Sequence, residues 1–439
     1  MQTKHSPSIP SDGHSERRNE GVSDVRNSNG RAVALLTAFF VLAGSNIIPV
    51  ELHFVISLVI AGALASRYGL PDLSSIWPLI AILAIALLMI IPMGYDDFLG
   101  PIRTFFYLSR PILFISIGIL LNRLNNSEKN LLISMALAGF IMAIIYFFKY
   151  ISSDVSILSE RSNLRGSVGT GYFLNMVSIY LLFFRRKIMP WTSFAGFTMG
   201  SFCFAMILLS DSRTNLICLL LFSFIGFASV RSLVNTAAPF VVAALLLAII
   251  STPLLPSMLS EGGYAAVRER LPTSIREFTV HEGRTYRQIV LEWRGFETYL
   301  VFANAKKVGP LAEFFGIGAG QGVPLPVKIN LGNDESPLAI GVFHNGFAMT
   351  FARSGWVGVI LFLIQISIFA SISSRLARRG NMLGKLGLSM TAAAIVTNTV
   401  IAGIYNPGDV SVAICVVLGF VIASHNRFRS RATRQNSPN

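Results

Sequence analysis

Apolar runs of similar length follow one another along most of this chain, separated by short polar breaks. A helical bilayer span takes about 17–25 apolar residues. Stretches of this kind fall at roughly 32–48, 51–66, 75–93, 102–122, 130–150, 171–184, 190–209, 214–230, 236–255, 352–374, 386–404 and 409–424. Hydrocarbon offers the backbone no hydrogen-bond partners, so helices are the expected form of each span. The pattern predicts an all-α polytopic membrane protein of about twelve transmembrane helices. It stops once, between the ninth and tenth spans, where residues 256–343 are the one long non-apolar interval and predict a large external loop. Inside that loop Ile289, Trp293, Phe296 and Leu300 recur at three- and four-residue spacing, with Arg287, Glu292 and Arg294 between them. This spacing predicts a helix over residues 285–307, ended by Pro310.

Composition agrees: 53% of the 439 residues are hydrophobic and 13% charged, far from a soluble balance. The net charge of +14 suggests nucleic acid until its distribution is followed. Arg67, then Arg123 and Lys129, then Arg185, Arg186 and Lys187, then Arg231, then Arg375, Arg378, Arg379 and Lys385 fall in alternate short loops. The stretch 425–439 adds Arg427, Arg429, Arg431 and Arg434, whereas the loops around Glu51, Asp96 and Asp409 lack basic residues. That asymmetry predicts both termini in the cytoplasm and the 256–343 loop outside. The excess charge orients the chain and calls for no nucleic-acid partner. Residues 1–30 are polar and read as a disordered cytoplasmic tail. Residues 31–255 hold spans one to nine, 344–424 the last three, and 425–439 a basic tail. Cys203, Cys218 and Cys415 lie in apolar spans with no metal or disulfide spacing.

Chemistry is expected where external segments break the charge rule. The long loop carries nine basic and nine acidic residues and ends at His344-Asn345. His344 is either an interfacial hydrogen-bonded residue or a general base, since imidazole takes up a proton near neutral pH. Asn345 either orients His344 or caps the following helix. Arg213, at the mouth of the eighth span, is either a snorkelling side chain or a phosphate clamp. Arg284, Arg287 and Arg294 share that ambiguity, and Arg161 and Arg165 stand in a second external segment, 151–170. Arg110 falls inside the fourth span and is expected to face the bundle interior, toward a carboxylate or a ligand. The run Gly316-Ile317-Gly318-Ala319-Gly320-Gln321-Gly322 lacks the lysine of a P-loop and the strand context of a dinucleotide fingerprint. It reads as a tight, flexible turn at the membrane surface.

Ser212-Arg213-Thr214, Glu282-Gly283-Arg284 with Trp293, Phe315 with the glycine run, and His344-Asn345 followed by Gly355-Trp356-Val357-Gly358 occur in this order. Their order, spacing and predicted side of the membrane resemble the bacterial O-antigen ligase and O-antigen (exopolysaccharide) polymerase family. The resemblance implies an inverting glycosyltransferase at the periplasmic face of the bacterial inner membrane. It implies an undecaprenyl-diphosphate-linked glycan as donor and a glycan or lipid A core as acceptor, with no metal or other cofactor. His344 would be catalytic, and Arg213 with Arg284 or Arg287 would bind the diphosphate. A multi-pass transporter of a lipid or anionic solute is the rival reading, expected to show paired broken helices in symmetric halves.

Overall fold

The computed structural model describes residues 32–95, 98–124, 128–152, 172–184, 192–210, 212–227, 282, 289, 292–326 and 339–435. The described chain is almost entirely helical: α1 (Ala32–Ile47), α2 (Val50–Tyr68), α3 (Ser74–Met93), α4 (Leu99–Leu124), α5 (Glu128–Ile151), α6 (Phe173–Phe184), α7 (Ser193–Ser210) and α8 (Arg213–Phe227). Beyond the long loop's first part come α9 (Trp293–Val308), α10 (Pro310–Phe315), α11 (Gly346–Arg378), α12 (Met382–Val400) and α13 (Asp409–Gln435). A two-residue antiparallel pair, β1 (Val323–Pro324) with β2 (Ala339–Ile340), lies between α10 and α11.

The chain is thus an all-α membrane protein, with seven described helices long and apolar enough to cross a bilayer: α2, α3, α4, α5, α7, α11 and α13. Helices α1, α6 and α8 are shorter apolar helices, α12 is helical but falls outside that set, and the expected span 236–255 lies outside the described residues. Two boundaries differ from expectation. Helix α11 begins at Gly346 because Asn345 caps it there, and α13 continues to Gln435, so most of the expected basic tail is helix.

Burial sorts the helices into centre and periphery. The span windows of α4 and α13 are 72% and 89% buried, against 17% for α2. The central pair runs side by side because two glycines let the backbones touch. A Cβ at Gly118 would stand 2.1 Å from the carbonyl oxygen of Val416, and one at Gly419 would stand 2.0 Å from that of Ile115. Asn122, buried on α4, donates from Nδ2 to Ser424 Oγ at 2.8 Å on α13.

The helix ends gather into two groups. At one, Arg123 donates to the carbonyls of Tyr68, Gly69 and Leu70, each at 2.9 Å, and closes the C-terminus of α2. Lys385 reaches Gly226 O at 3.3 Å and Asn381 reaches Glu128 at 3.0 Å at this same, basic end. At the opposite end Asp409 accepts from the Leu174 amide at 2.9 Å, capping α6 from another helix, and Thr104 donates to Ala319 O at 2.7 Å. The segment 292–326 packs at this second end, below called the loop end.

Candidate active site

The site forms where α9 meets the N-terminus of α11. Trp293, Phe296 and Leu300 turn the apolar stripe of α9 inward, with Phe296 1% and Leu300 9% exposed, and Ile289 ahead of them is 5% exposed. The helix expected over 285–307 is described only from Trp293, because Glu292 is a non-helical N-cap, and from there it keeps the expected inward face. Glu297 stands four residues after Trp293, on the same inward face, and is completely buried. A carboxylate in that position requires partners, and His344 supplies two. Its backbone amide donates to Glu297 Oε2 at 3.0 Å, and its Nδ1 lies 3.4 Å from Oε1.

The two members of this pair face different surroundings: the His344 side chain is 58% exposed and that of Glu297 is 0% exposed. With the proton on Nδ1 shared toward Oε1, the Nε2 lone pair is left on an accessible ring. This is how a buried carboxylate fixes the tautomer of a general base.

The next residue fixes the backbone. Asn345 Oδ1 accepts from the amides of Phe347 at 2.9 Å and Ala348 at 3.3 Å, and its Nδ2 donates to Thr298 Oγ1 at 3.3 Å. Of its two expected roles, Asn345 thus takes the helix cap, and it ties that cap to the turn of α9 carrying Glu297.

The approach to His344 is equally held. Arg353, 2% exposed on α11, donates from Nη1 to Gly318 O at 2.8 Å and Gln321 O at 2.6 Å, and from Nη2 to Gly341 O. Phe343 is buried beneath the guanidinium, 5.9 Å from it. The glycine run is therefore a packed wedge, not the flexible turn expected, because α3, α4 and α11 surround it. Ile317 donates its amide to Ala352 O at 2.7 Å, Ala319 its amide to Ala86 O at 2.8 Å, and residues 316–320 are buried.

Glycine is required at two facing positions. Helix α11 breaks at Ser354 and Gly355, where Gly355 has φ +62° and a Cβ would lie 2.3 Å from the backbone of Phe314. Opposite, Gly316 has φ +82° and a Cβ would lie 2.4 Å from Ser354 N. Both need the left-handed region and contact without a side chain.

No protein-family model matches the chain, and no curated protein matches it.

Of the expected site residues, the structure describes His344 and Asn345 at this site. Arg213 is the first residue of α8, and its side chain lies outside the described residues. Arg161, Arg165, Arg284 and Arg287 also lie outside them. Arg294 is half-buried near the start of α9. Arg110 faces the interior as expected, fully buried, but meets no carboxylate among the described residues. It donates to Pro407 O at 2.7 Å and to Ser411 Oγ at 3.4 Å, and lies 5.5 Å and 5.3 Å from the Phe106 and Phe114 rings. Its Nε and Nη1 have no hydrogen-bond partner among the described residues. Among those residues no group of three His, Cys, Asp or Glu side chains could hold a metal ion. Sequence reasoning missed Glu297 and Arg353. The signal for Glu297 was an acid on the apolar face of an amphipathic helix; Arg353 stood at the edge of an expected span.

Proposed function

We propose that this protein is a glycosyltransferase of the bacterial inner membrane, transferring glycan from an undecaprenyl-diphosphate-linked donor to an acceptor hydroxyl with inversion. In this reading the basic end faces the cytoplasm and the loop end the periplasm. The observation that carries it is the His344–Glu297 pair, an exposed imidazole tied through Nδ1 and its own amide to one buried carboxylate. It adds a base-orienting acid to the motif order that resembles the O-antigen ligase and polymerase family.

The acceptor oxygen bonds to the anomeric carbon while its proton passes to Nε2 of His344. The bond from that carbon to the phosphate oxygen breaks on the opposite face, and its electron pair leaves with the diphosphate. Nε2 then releases the proton to solvent. Glu297 holds the ring and offsets the positive charge that forms on it. Arg213 and Arg284 or Arg287 stabilise the departing diphosphate, for which guanidinium forks are suited, with Arg161, Arg165 and Arg294 as further donors. Either another lipid-linked glycan (polymerase) or a lipid A core (ligase) supplies the acceptor.

The test is purified protein in liposomes with lipid-linked donor and acceptor, scored for new glycosidic product. His344→Ala should lower turnover by about 10²–10⁴, the usual share of general-base catalysis, with donor binding retained. Movement of labelled lipid or solute across the liposome with no glycosidic product would replace this reading with the transporter.

A further inference from the structure

Helix α11 is longer than a bilayer core. Its 33 residues, Gly346–Arg378, extend about 50 Å, whereas the hydrocarbon takes about 20 residues and 30 Å. Its side chains are uncharged from Ser354 to Ser374, between Arg353 and Arg375. That uncharged interval is the part suited to hydrocarbon, and it begins at the break at Ser354-Gly355. The first two turns of α11, which carry the Asn345 cap, stand above it.

Helix α10 docks at the level of this break, through the close approaches of Gly316 to the Ser354 backbone and of Gly355 to the Phe314 backbone and the bond from the Ile317 amide to Ala352 O. Its outward edge is apolar. Leu311 is 48% exposed, Phe314 57% and Phe315 39%, with Trp356 on α11 beside them at 46%. Phe302 of α9 stacks on Trp356 with ring centroids 5.8 Å apart, so α9 is held at the same height. Lys306 and Lys307, both exposed, occupy the last turn of α9, and half-buried Glu313 is the nearby acid in the first turn of α10. Large apolar side chains, an aromatic ring at the end of an uncharged span and adjacent lysines form the composition of a membrane interface. An apolar edge of this kind left in water would be an aggregation liability.

We infer that the α9–α10 hairpin is a membrane-interfacial element. Leu311, Phe314, Phe315 and Trp356 sit in the headgroup–acyl boundary of the leaflet at the loop end, and Lys306 and Lys307 contact anionic headgroup phosphates. The Glu297-bearing face of α9 points the other way, so the hairpin fixes the height of the His344 site above the lipid. This inference stands on the helix lengths and exposed side chains and does not depend on the reaction catalysed.

The experiment uses the full chain in nanodiscs, with Cys203, Cys218 and Cys415 replaced by alanine and an environment-sensitive fluorophore on Phe314→Cys or Lys307→Cys. Nitroxide lipids labelled near the headgroup should quench the Phe314→Cys probe several-fold more than lipids labelled at the chain terminus, and aqueous iodide should quench it weakly. The Lys307→Cys probe should respond to headgroup-labelled lipid. Lys306→Gln and Lys307→Gln should each lower the enrichment of phosphatidylglycerol over phosphatidylcholine around the protein by about fivefold. Iodide quenching without lipid quenching at Phe314→Cys places the edge in water and overturns the inference. Stronger quenching from the chain terminus makes the hairpin membrane-inserted and overturns it as well. Quenching of the Phe314→Cys probe by neither nitroxide lipid nor iodide shows the edge covered by protein, with the same consequence. Unchanged phosphatidylglycerol enrichment in both lysine variants overturns the headgroup contact.

Discussion

Replacing Glu297 with glutamine tests the site with little change of shape. In the native protein both carboxylate oxygens serve His344, one through its amide at 3.0 Å and one facing Nδ1 at 3.4 Å. Glutamine keeps one carbonyl oxygen and presents an NH2 in place of the other. If the oxygen stays on the backbone amide, the NH2 faces Nδ1 and selects the tautomer protonated on Nε2, which cannot accept the acceptor's proton. If the oxygen turns to Nδ1, the amide bond is lost and the segment bearing His344 shifts. Displacements near 1 Å can cost about 10²-fold in rate, and loss of the base itself about 10²–10⁴. Turnover of Glu297→Gln should therefore fall by about 10²–10³.

Stability responds less. A hydrogen bond to a charged group contributes about 1.5–3 kcal/mol, and its loss is partly offset because the variant no longer buries a charge. The expected change in unfolding free energy is below about 2 kcal/mol. The assay is turnover on lipid-linked donor, with thermal unfolding in the same detergent and the His344→Ala and double variants alongside. If Glu297 acts through His344, adding Glu297→Gln to His344→Ala lowers turnover no further. Full activity in Glu297→Gln, or additive losses in the double variant, would refute the orienting role.

Asn345→Ala removes the cap of α11 and the tie to Thr298, and should destabilise by about 1 kcal/mol, read as a lowered unfolding midpoint with turnover reduced as the His344 backbone loosens. Gly355→Ala drives a Cβ to 2.3 Å from Phe314 at a left-handed φ and should cost about 2–5 kcal/mol, seen as loss of the monodisperse folded peak on size exclusion. Arg110→Met removes a buried guanidinium that has no carboxylate partner among the described residues, so stability should shift by less than about 2 kcal/mol. A much larger loss would mean that the bond to Pro407 carries more than one neutral contact, and a drop in turnover with stability intact would assign Arg110 to ligand.

What this sequence determined by itself is the solvent for which each segment is built. Runs such as 102–122 and 130–150 have no stable place in water, and hydrocarbon leaves their backbones only the helix, so class and approximate boundaries were legible from apolar length alone. The stripe Ile289, Trp293, Phe296 and Leu300 was legible for the same reason: a period of 3.6 defines an inward face wherever the helix lies. His344 and Asn345 stood out because they are polar at the edge of a span. Tertiary structure decided what these residues meet. Glu297 and His344 are 47 residues apart, and no local spacing encodes that pairing. Nor could the glycine run be known as a packed wedge until α3, α4 and α11 closed around it, because glycine permits both a mobile turn and a close contact. Arg110 shows the same limit: its burial follows from standing inside a span, but its partner, the Pro407 carbonyl, lies 297 residues away and depends on how α13 lies along α4.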